Sequence, residues 1–198
     1  MNLNLGFFAS GSGSNVQAII DSIKRGNLDA VPKVVITNNS RAGVVDKAKR
    51  ENIPFYHISR VTHPAKSNRT NEMINILKKH NVDLVVLGGY MKKLPDELLR
   101  EFNGKVINIH PALLPDHGGK GMYGLNVHRA VIEAGDKETG VSIHIVTPEY
   151  DRGRVIAQRK IPVMPNEKPE ELQKRVLKVE HKLYPETIQK IAKKEIIF

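Results

Sequence analysis

The chain has 198 residues, 40% of them apolar and 26% charged, a balance that predicts one soluble globular domain over residues 1–198. A net charge of +10 suits anionic ligands, but the basic residues are scattered and aromatics reach only 5% with no Trp, so nucleic acid is not expected as a partner. The absence of cysteine excludes disulfides and thiolate chemistry, no apolar run approaches the roughly 20 residues that span a bilayer, and the N-terminus has no basic signal region, so a cytoplasmic protein with no membrane partner is expected.

The first expected strand, Leu3–Ala9, leads through Gly11-Ser12-Gly13-Ser14-Asn15 into a helix over Asn15–Arg25. Unpaired N–H groups at a helix start attract anions, Gly11 and Gly13 let the backbone come close, and Ser12, Ser14 and Asn15 add donors. Two readings stand at this point: a phosphate cradle, or a plain Gly/Ser turn closed by a Ser N-cap. As a cradle it fits a phosphomonoester. Val16 replaces the third Gly of a dinucleotide fingerprint, and no Lys follows a Gly as a P-loop requires. The second strand, Lys33–Thr37, ends in Thr37-Asn38-Asn39 with no acid for a ribose.

A helix over Gly43–Glu51, a strand Phe55–Ile58, a helix Ser67–His80 and a strand Leu84–Leu87 follow. After that strand Gly88-Gly89 permit a flat ligand near the backbone, with Tyr90, Met91 and Leu94 as apolar wall or as ordinary packing. Beyond a helix over Pro95–Phe102, the strand Val106–Ile109 ends in two polar residues two apart, Asn108 and His110, which therefore share a face. An amide and an imidazolium there are donors for an oxyanion, and the imidazole can also move a proton near neutral pH. A helix Val127–Ala134 precedes strands Val141–Thr147 and Val155–Val163, whose short connection demands antiparallel pairing. That connection carries Asp151, either a turn residue or, if near His110, a charge that raises the imidazole pKa. Leu172, Val176, Val179 and Leu183 mark a final amphipathic helix, with Pro169 in its first turn and Pro185 expected to kink it.

The alternation predicts an α/β fold: a doubly wound, mostly parallel sheet of about seven strands, one antiparallel strand near the C-terminus, and helices on both faces. Ligands of such sheets gather at the carboxyl edge of the strands. His144 shares a face with Ser142 and reads as structural. His57, His63, His80, His117 and His128 show no metal-ligand spacing, so no metal is expected. No Ser sits in a G-x-S-x-G elbow, which disfavours hydrolase chemistry.

The stretches "GSGSN", "DLVVLGGYMKKL", "NIHPALLP", "GVSIHIVTPEYDRG" and "RVLKVEHKLYP" together resemble the folate-dependent formyltransferase family, and within it the phosphoribosylglycinamide formyltransferases, over essentially the whole chain. The resemblance implies the formyltransferase fold and transfer of a formyl group from 10-formyltetrahydrofolate, as co-substrate, to the amine of phosphorylated glycinamide ribonucleotide in purine biosynthesis. It implies catalytic roles for Asn108, His110 and Asp151, and a substrate-phosphate loop at Gly13, Ser14 and Asn15. It also implies a nucleotide contact at Glu180, folate contacts at Met91, Lys92, Lys93, Leu94 and Asn108, and a further basic folate contact at either Lys66 or Arg69. The N-terminal half would bind the phosphorylated nucleotide, and the C-terminal half would hold folate and the catalytic residues. The protein would act as a monomer or homodimer.

The loop Asp116–Asn126 is longer than in shorter relatives, and Asn126 stands where a His is common. Lys120 in that loop is read as solvated surface. Methionyl-tRNA formyltransferase would need a further C-terminal domain, and formyltetrahydrofolate hydrolase a further N-terminal one; neither is expected from this chain. A non-catalytic phosphosugar binder would have no use for Asn108, His110 and Asp151 together.

Overall fold

The computed structural model describes residues 2–198. Seven strands form one sheet: β1 (Leu3–Phe8), β2 (Ala30–Thr37), β3 (Phe55–His57), β4 (Leu84–Leu87), β5 (Val106–His110), β6 (Glu138–Ile145) and β7 (Val155–Pro162). Six helices connect and flank them: α1 (Ser14–Lys24), α2 (Gly43–Arg50), α3 (Lys66–Lys79), α4 (Asp96–Phe102), α5 (Leu125–Glu133) and α6 (Pro169–Ala192). The strand order is β3-β2-β1-β4-β5-β6-β7. Strands β1 to β5 are parallel, whereas β6 pairs antiparallel with both β5 and β7. The single reversed strand is therefore β6, and β7 returns to the direction of the rest.

The parallel strands read as apolar runs because both faces are covered. Leu5 and Phe7 of β1 and Leu84 and Val86 of β4 pack with Val16 and Ile19 of α1 and Val176 and Tyr184 of α6 on one face. Phe8, Val85 and Leu87 turn to the other face and meet Met73 and Leu77 of α3 and Leu98 and Phe102 of α4. The alternation of Phe7 and Phe8, both fully buried, shows the period of two placing adjacent residues in different cores. At the other edge, β7 alternates exposed and half-buried residues, as a strand with one solvated face should.

Helix α6 starts with Pro169 at its first turn, where no N–H is missed, and the Lys168 backbone N–H donates to Glu171 Oε2 at 3.0 Å. It runs on through Pro185 as one 24-residue helix. Tyr184, fully buried on this helix, donates from its hydroxyl to the carbonyls of Leu87 and Ile107, at 2.9 and 3.2 Å. That phenol ties α6 to the last residue of β4 and to the first half of β5. No helix among the described residues is long and apolar enough to cross a membrane.

The chain winds outward from β1 to β3 and then returns to place β4 beside β1. The carboxyl ends of β1 and β4 diverge into loops on opposite faces, which opens a crevice between them. The two loops are joined by main chain: Gly88 N–H donates to Phe8 O at 2.8 Å and Ser10 N–H to Gly89 O at 3.0 Å.

Candidate active site

A cavity of about 550 Å³ lies over this crevice, lined by Gly11 to Asn15, Gly88 to Lys92, Asn108 to Pro111, Gly119 to Gly124, His128, Tyr150, Asp151 and residues of α6 that include Glu180. Its first wall is the tip of α1. The N-cap is Gly13, with φ 70°, and no side chain caps the helix. The Ser-capped turn is therefore not what forms, and the first N–H groups stay open toward the cavity. A Cβ at residue 13 would meet Val44 at 2.6 Å, so glycine is required both by φ and by the close approach of α2. The Asn15 side chain is not free for an anion, because its amide donates to Glu180 Oε2 at 2.6 Å. What Asn15 leaves for a phosphate is its backbone N–H. Burial pushes the Glu180 carboxyl above its ordinary range, partly offset by that same hydrogen bond.

The opposite wall brings Asn108, His110 and Asp151 together. Asp151 arrives from the β6–β7 connection with φ 55°, a left-handed conformation that Asp tolerates. Its Oδ2 lies 3.6 Å from His110 Nδ1 and accepts the Gly119 N–H at 2.9 Å, and its Oδ1 lies 3.4 Å from His144 Nε2. His110 Nε2 is 2.8 Å from the carbonyl oxygen of His117. A carbonyl can only accept, so Nε2 carries the proton and Nδ1 is the position that gains or loses one. Asn108 Nδ2 is 3.1 Å from His144 Nε2, while His144 Nδ1 faces the Ile145 carbonyl at 3.0 Å. With that imidazole neutral, Nδ1 bears its hydrogen and Nε2 accepts from Asn108, which leaves the second amide hydrogen of Asn108 for a ligand.

The electrostatics differ from the simple expectation at His110. Burial, at 3% exposure, is the largest influence and lowers its pKa; Asp151 and the His117 carbonyl oppose it without overcoming it. The balance at His110 therefore favours the neutral imidazole. Burial would raise the Asp151 carboxyl, but the neighbouring His144, the His110 ring and the Gly119 N–H reverse this, and its pKa ends below the ordinary value. His128, 2% exposed with an unpartnered Nδ1, is pushed down to about 4, first by burial and then by His110.

The expected folate contacts divide between two adjoining spaces. Met91, Lys92 and Asn108 line the cavity above. Lys66, Arg69, Lys92, Lys93 and Leu94 line a neighbouring hollow of about 650 Å³ that shares Tyr90 and Lys92 with it. Leu94 is 3% exposed and belongs chiefly to the core under α3 and α4. Lys93 lies 3.7 Å from Asp96. Arg69 spends its guanidinium on the carbonyls of His63 and Pro64, both at 2.6 Å, bracing the loop before α3. The Lys66 ammonium, exposed at the start of α3, has no hydrogen-bond partner among the described residues and is the freer of the two cations. Lys120, read from sequence as solvated surface, is exposed and stands at the lining of the cavity of about 550 Å³. No metal-ligand cluster occurs among the described residues.

Sequence reading missed three contributors: His144, the His117 carbonyl and the Gly119 N–H. His144 sits directly opposite Asn108 in the β5–β6 register, and Ser142 opposite His110. The signal was present as the paired patterns Asn-x-His and Ser-x-His, but reading it requires knowing that β6 is reversed. Ser142 is fully buried and holds the loop after β5, donating to Ala112 O at 2.6 Å and accepting from Leu114 N at 2.9 Å.

Residues 3–188 match the formyl transferase family. The chain is 41% identical over 194 residues to a chloroplastic phosphoribosylglycinamide formyltransferase of Vigna unguiculata, covering 98% of this chain and 62% of that one. It thus spans less than two thirds of the plant relative's length. It is 35% identical to the phosphoribosylglycinamide formyltransferase of Bacillus subtilis (strain 168), over 93% of this chain and 92% of that one. Its fold superposes on a glycinamide ribonucleotide transformylase from Symbiobacterium toebii with a TM-score of 0.92 at 32% identity, covering 100% of this chain and 91% of the other.

Proposed function

The chain belongs to the formyl transferase family, and from that premise we propose that it moves the formyl group of 10-formyltetrahydrofolate onto the amine of N1-(5-phosphoribosyl)glycinamide in purine biosynthesis. The observation that carries this reading is the convergence of Asn108, His110 and Asp151 on one cavity, facing the uncapped tip of α1. The backbone at Gly13, Ser14 and Asn15 receives the phosphate, and Glu180 faces the nucleotide. Met91, Lys92, Lys93 and Leu94 bound the folate side, with Lys66 as the available cation for its carboxylate and Arg69 bracing the loop.

The neutral amine attacks the formyl carbon. A C–N bond forms, the carbonyl electron pair moves to oxygen, and the tetrahedral intermediate carries negative charge there. Asn108 supplies the amide hydrogen that His144 does not use. His110, on taking at Nδ1 the proton that the attacking amine loses, supplies a second donor until that proton is passed on. Asp151 stabilises that charged imidazole, and its 3.6 Å separation is too long for a hydrogen bond, so the Nδ1 hydrogen is available to the oxyanion. The bond between the formyl carbon and the folate nitrogen then breaks. The proton lost by the amine reaches that leaving nitrogen, through water ordered by Asp151. Proton transfer of this kind contributes roughly 10²–10⁴-fold.

The test is to mix the purified protein with glycinamide ribonucleotide and 10-formyl-dideazafolate and follow the absorbance of the deformylated folate. Deformylation that requires the phosphorylated amine is expected. Release of formate without the amine would make the protein a hydrolase, and no folate turnover at all would overturn the reading.

A further inference from the structure

The loop after β5 crosses the catalytic wall as a bracket three residues long. At one end the His117 carbonyl receives the Nε2 hydrogen of His110 at 2.8 Å; at the other the Gly119 N–H reaches Asp151 Oδ2 at 2.9 Å. Between them, a Cβ on Gly118 would meet Leu114 at 2.5 Å and Asp151 Cβ at 3.2 Å, so the bracket lies tight against the acid it holds. His117 has φ 52° and Gly119 φ 105°, and a non-glycine residue at positive φ persists only when its surroundings hold it there. For His117 the holding group is visible: its ring Nε2 donates to Asp136 Oδ2 at 2.6 Å. Asp136 stands in the short turn after α5, two residues ahead of β6, and β6 is paired on both sides. The ring of His117 points away from the cavity that its carbonyl helps to build; it lines a separate hollow with Asp116, Asp136 and Glu138.

We propose that His117 is a positioning residue for His110: clamped by Asp136, it fixes the loop carbonyl that takes the Nε2 hydrogen of the imidazole and so leaves Nδ1 as the nitrogen that exchanges protons. The inference rests on the assignment of His110 as the proton-handling group of the proposed reaction. Without the clamp the bracket is free to withdraw, and His110 loses the acceptor that selects its tautomer. Asp151 loses the Gly119 N–H in the same movement. The clamp touches no substrate, so its loss acts on turnover and not on nucleotide binding.

The test uses three variants. His117→Asn keeps a side chain that accepts positive φ but does not reach Asp136; Asp136→Ala removes the other half; the double variant removes both. Each single change is expected to lower kcat about tenfold or more, as misplacement of a reacting group does, with KM for the phosphorylated substrate nearly unchanged. The double variant should be no worse than either single one, because both break the same link. His117→Gln, which keeps a donor within reach of Asp136, should restore most of the rate. A second readout does not depend on activity. The ring ¹⁵N signals of His110, assigned with His110→Gln, should report the Nε2–H tautomer in the native protein and a mixture in the clamp variants. Unchanged kcat and unchanged His110 signals in His117→Asn would overturn the proposal, as would additive losses in the double variant. If the native protein shows no formyl transfer, the functional reading fails while the ¹⁵N comparison still decides whether the clamp sets the tautomer.

Discussion

The two walls of the cavity are built on different principles. The wall we propose for phosphate is local: strand β1, five residues of loop and the tip of α1, contiguous from Leu3 to Lys24, held by one glycine conformation and by Val44 behind it. The wall we propose for catalysis is assembled from distant segments. Asn108 and His110 come from β5, His144 from the reversed strand beside it, Asp151 from the β6–β7 connection, and two backbone groups from the loop at 117–119. A contiguous wall binds with few ways to fail. A composite wall can tune protonation, because each titrating group is surrounded by elements that arrive independently.

This difference predicts separable defects. The largest belongs to the catalytic wall: His110→Ala should reduce kcat by roughly 10²–10⁴-fold while the nucleotide Kd stays close to native. Steady-state kinetics with calorimetric titration of the nucleotide measures both, and native turnover in this variant would remove His110 from the mechanism. The next is a pH effect to which the same wall contributes. His110 and His128 both have pKa values lowered by burial, His128 to about 4. The unfolded chain protonates these rings near ~6.5, so their stabilisation is fully present above that pH and is lost as pH falls toward the folded values. For His128 the loss approaches about 3 kcal/mol between pH 6.5 and 4. Urea midpoints should fall over this window, and the fall should be shallower in His128→Asn; an identical slope would exclude the ring as its source.

On the phosphate wall, Gly13→Val forces a branched side chain into φ 70° and against Val44. KM for the phosphorylated substrate should rise about tenfold or more, as an anion site is spoiled, with kcat at saturation much less affected. An unchanged KM would mean that the tip of α1 does not hold the phosphate. The smallest effect tests the joint between the walls. Tyr184 bonds the carbonyls of Leu87, in the β4 that underlies one wall, and Ile107, in the β5 that carries the other. Tyr184→Phe should cost about 1–3 kcal/mol of stability by urea unfolding, and should alter KM and kcat together. A change in only one kinetic constant would show that the walls are not coupled there.

The same contrast explains what could be read from the sequence. The strands and helices followed from apolar periods, and their bounds agree with the structure to within a few residues. The loop at Gly11–Asn15 was legible because all of its determinants are consecutive. Asn108 and His110 were legible as a pair because a strand repeats every two residues. His144 was not, because its partner across the sheet depends on β6 being reversed, and a helix lying between β5 and β6 reads like a parallel crossover. The charge of His110 was also not legible: Asp151 pulls one way and burial the other, and only coordinates show that burial prevails. The amide of Asn15 was expected to face an anion, and its capture by Glu180 lies 165 positions away along the chain.

The meeting of the β1 and β4 loops has a consequence for redesign. Where Gly88 and Ser10 cross-link to Phe8 and Gly89, the bottom of the cleft is peptide rather than side chain. Mutagenesis aimed there has almost nothing to exchange and risks opening the sheet. Any attempt to make the protein accept a different acyl donor would have to work from the upper edge, where Met91, Tyr123 and Tyr150 stand about half exposed and can be swapped without disturbing the scaffold.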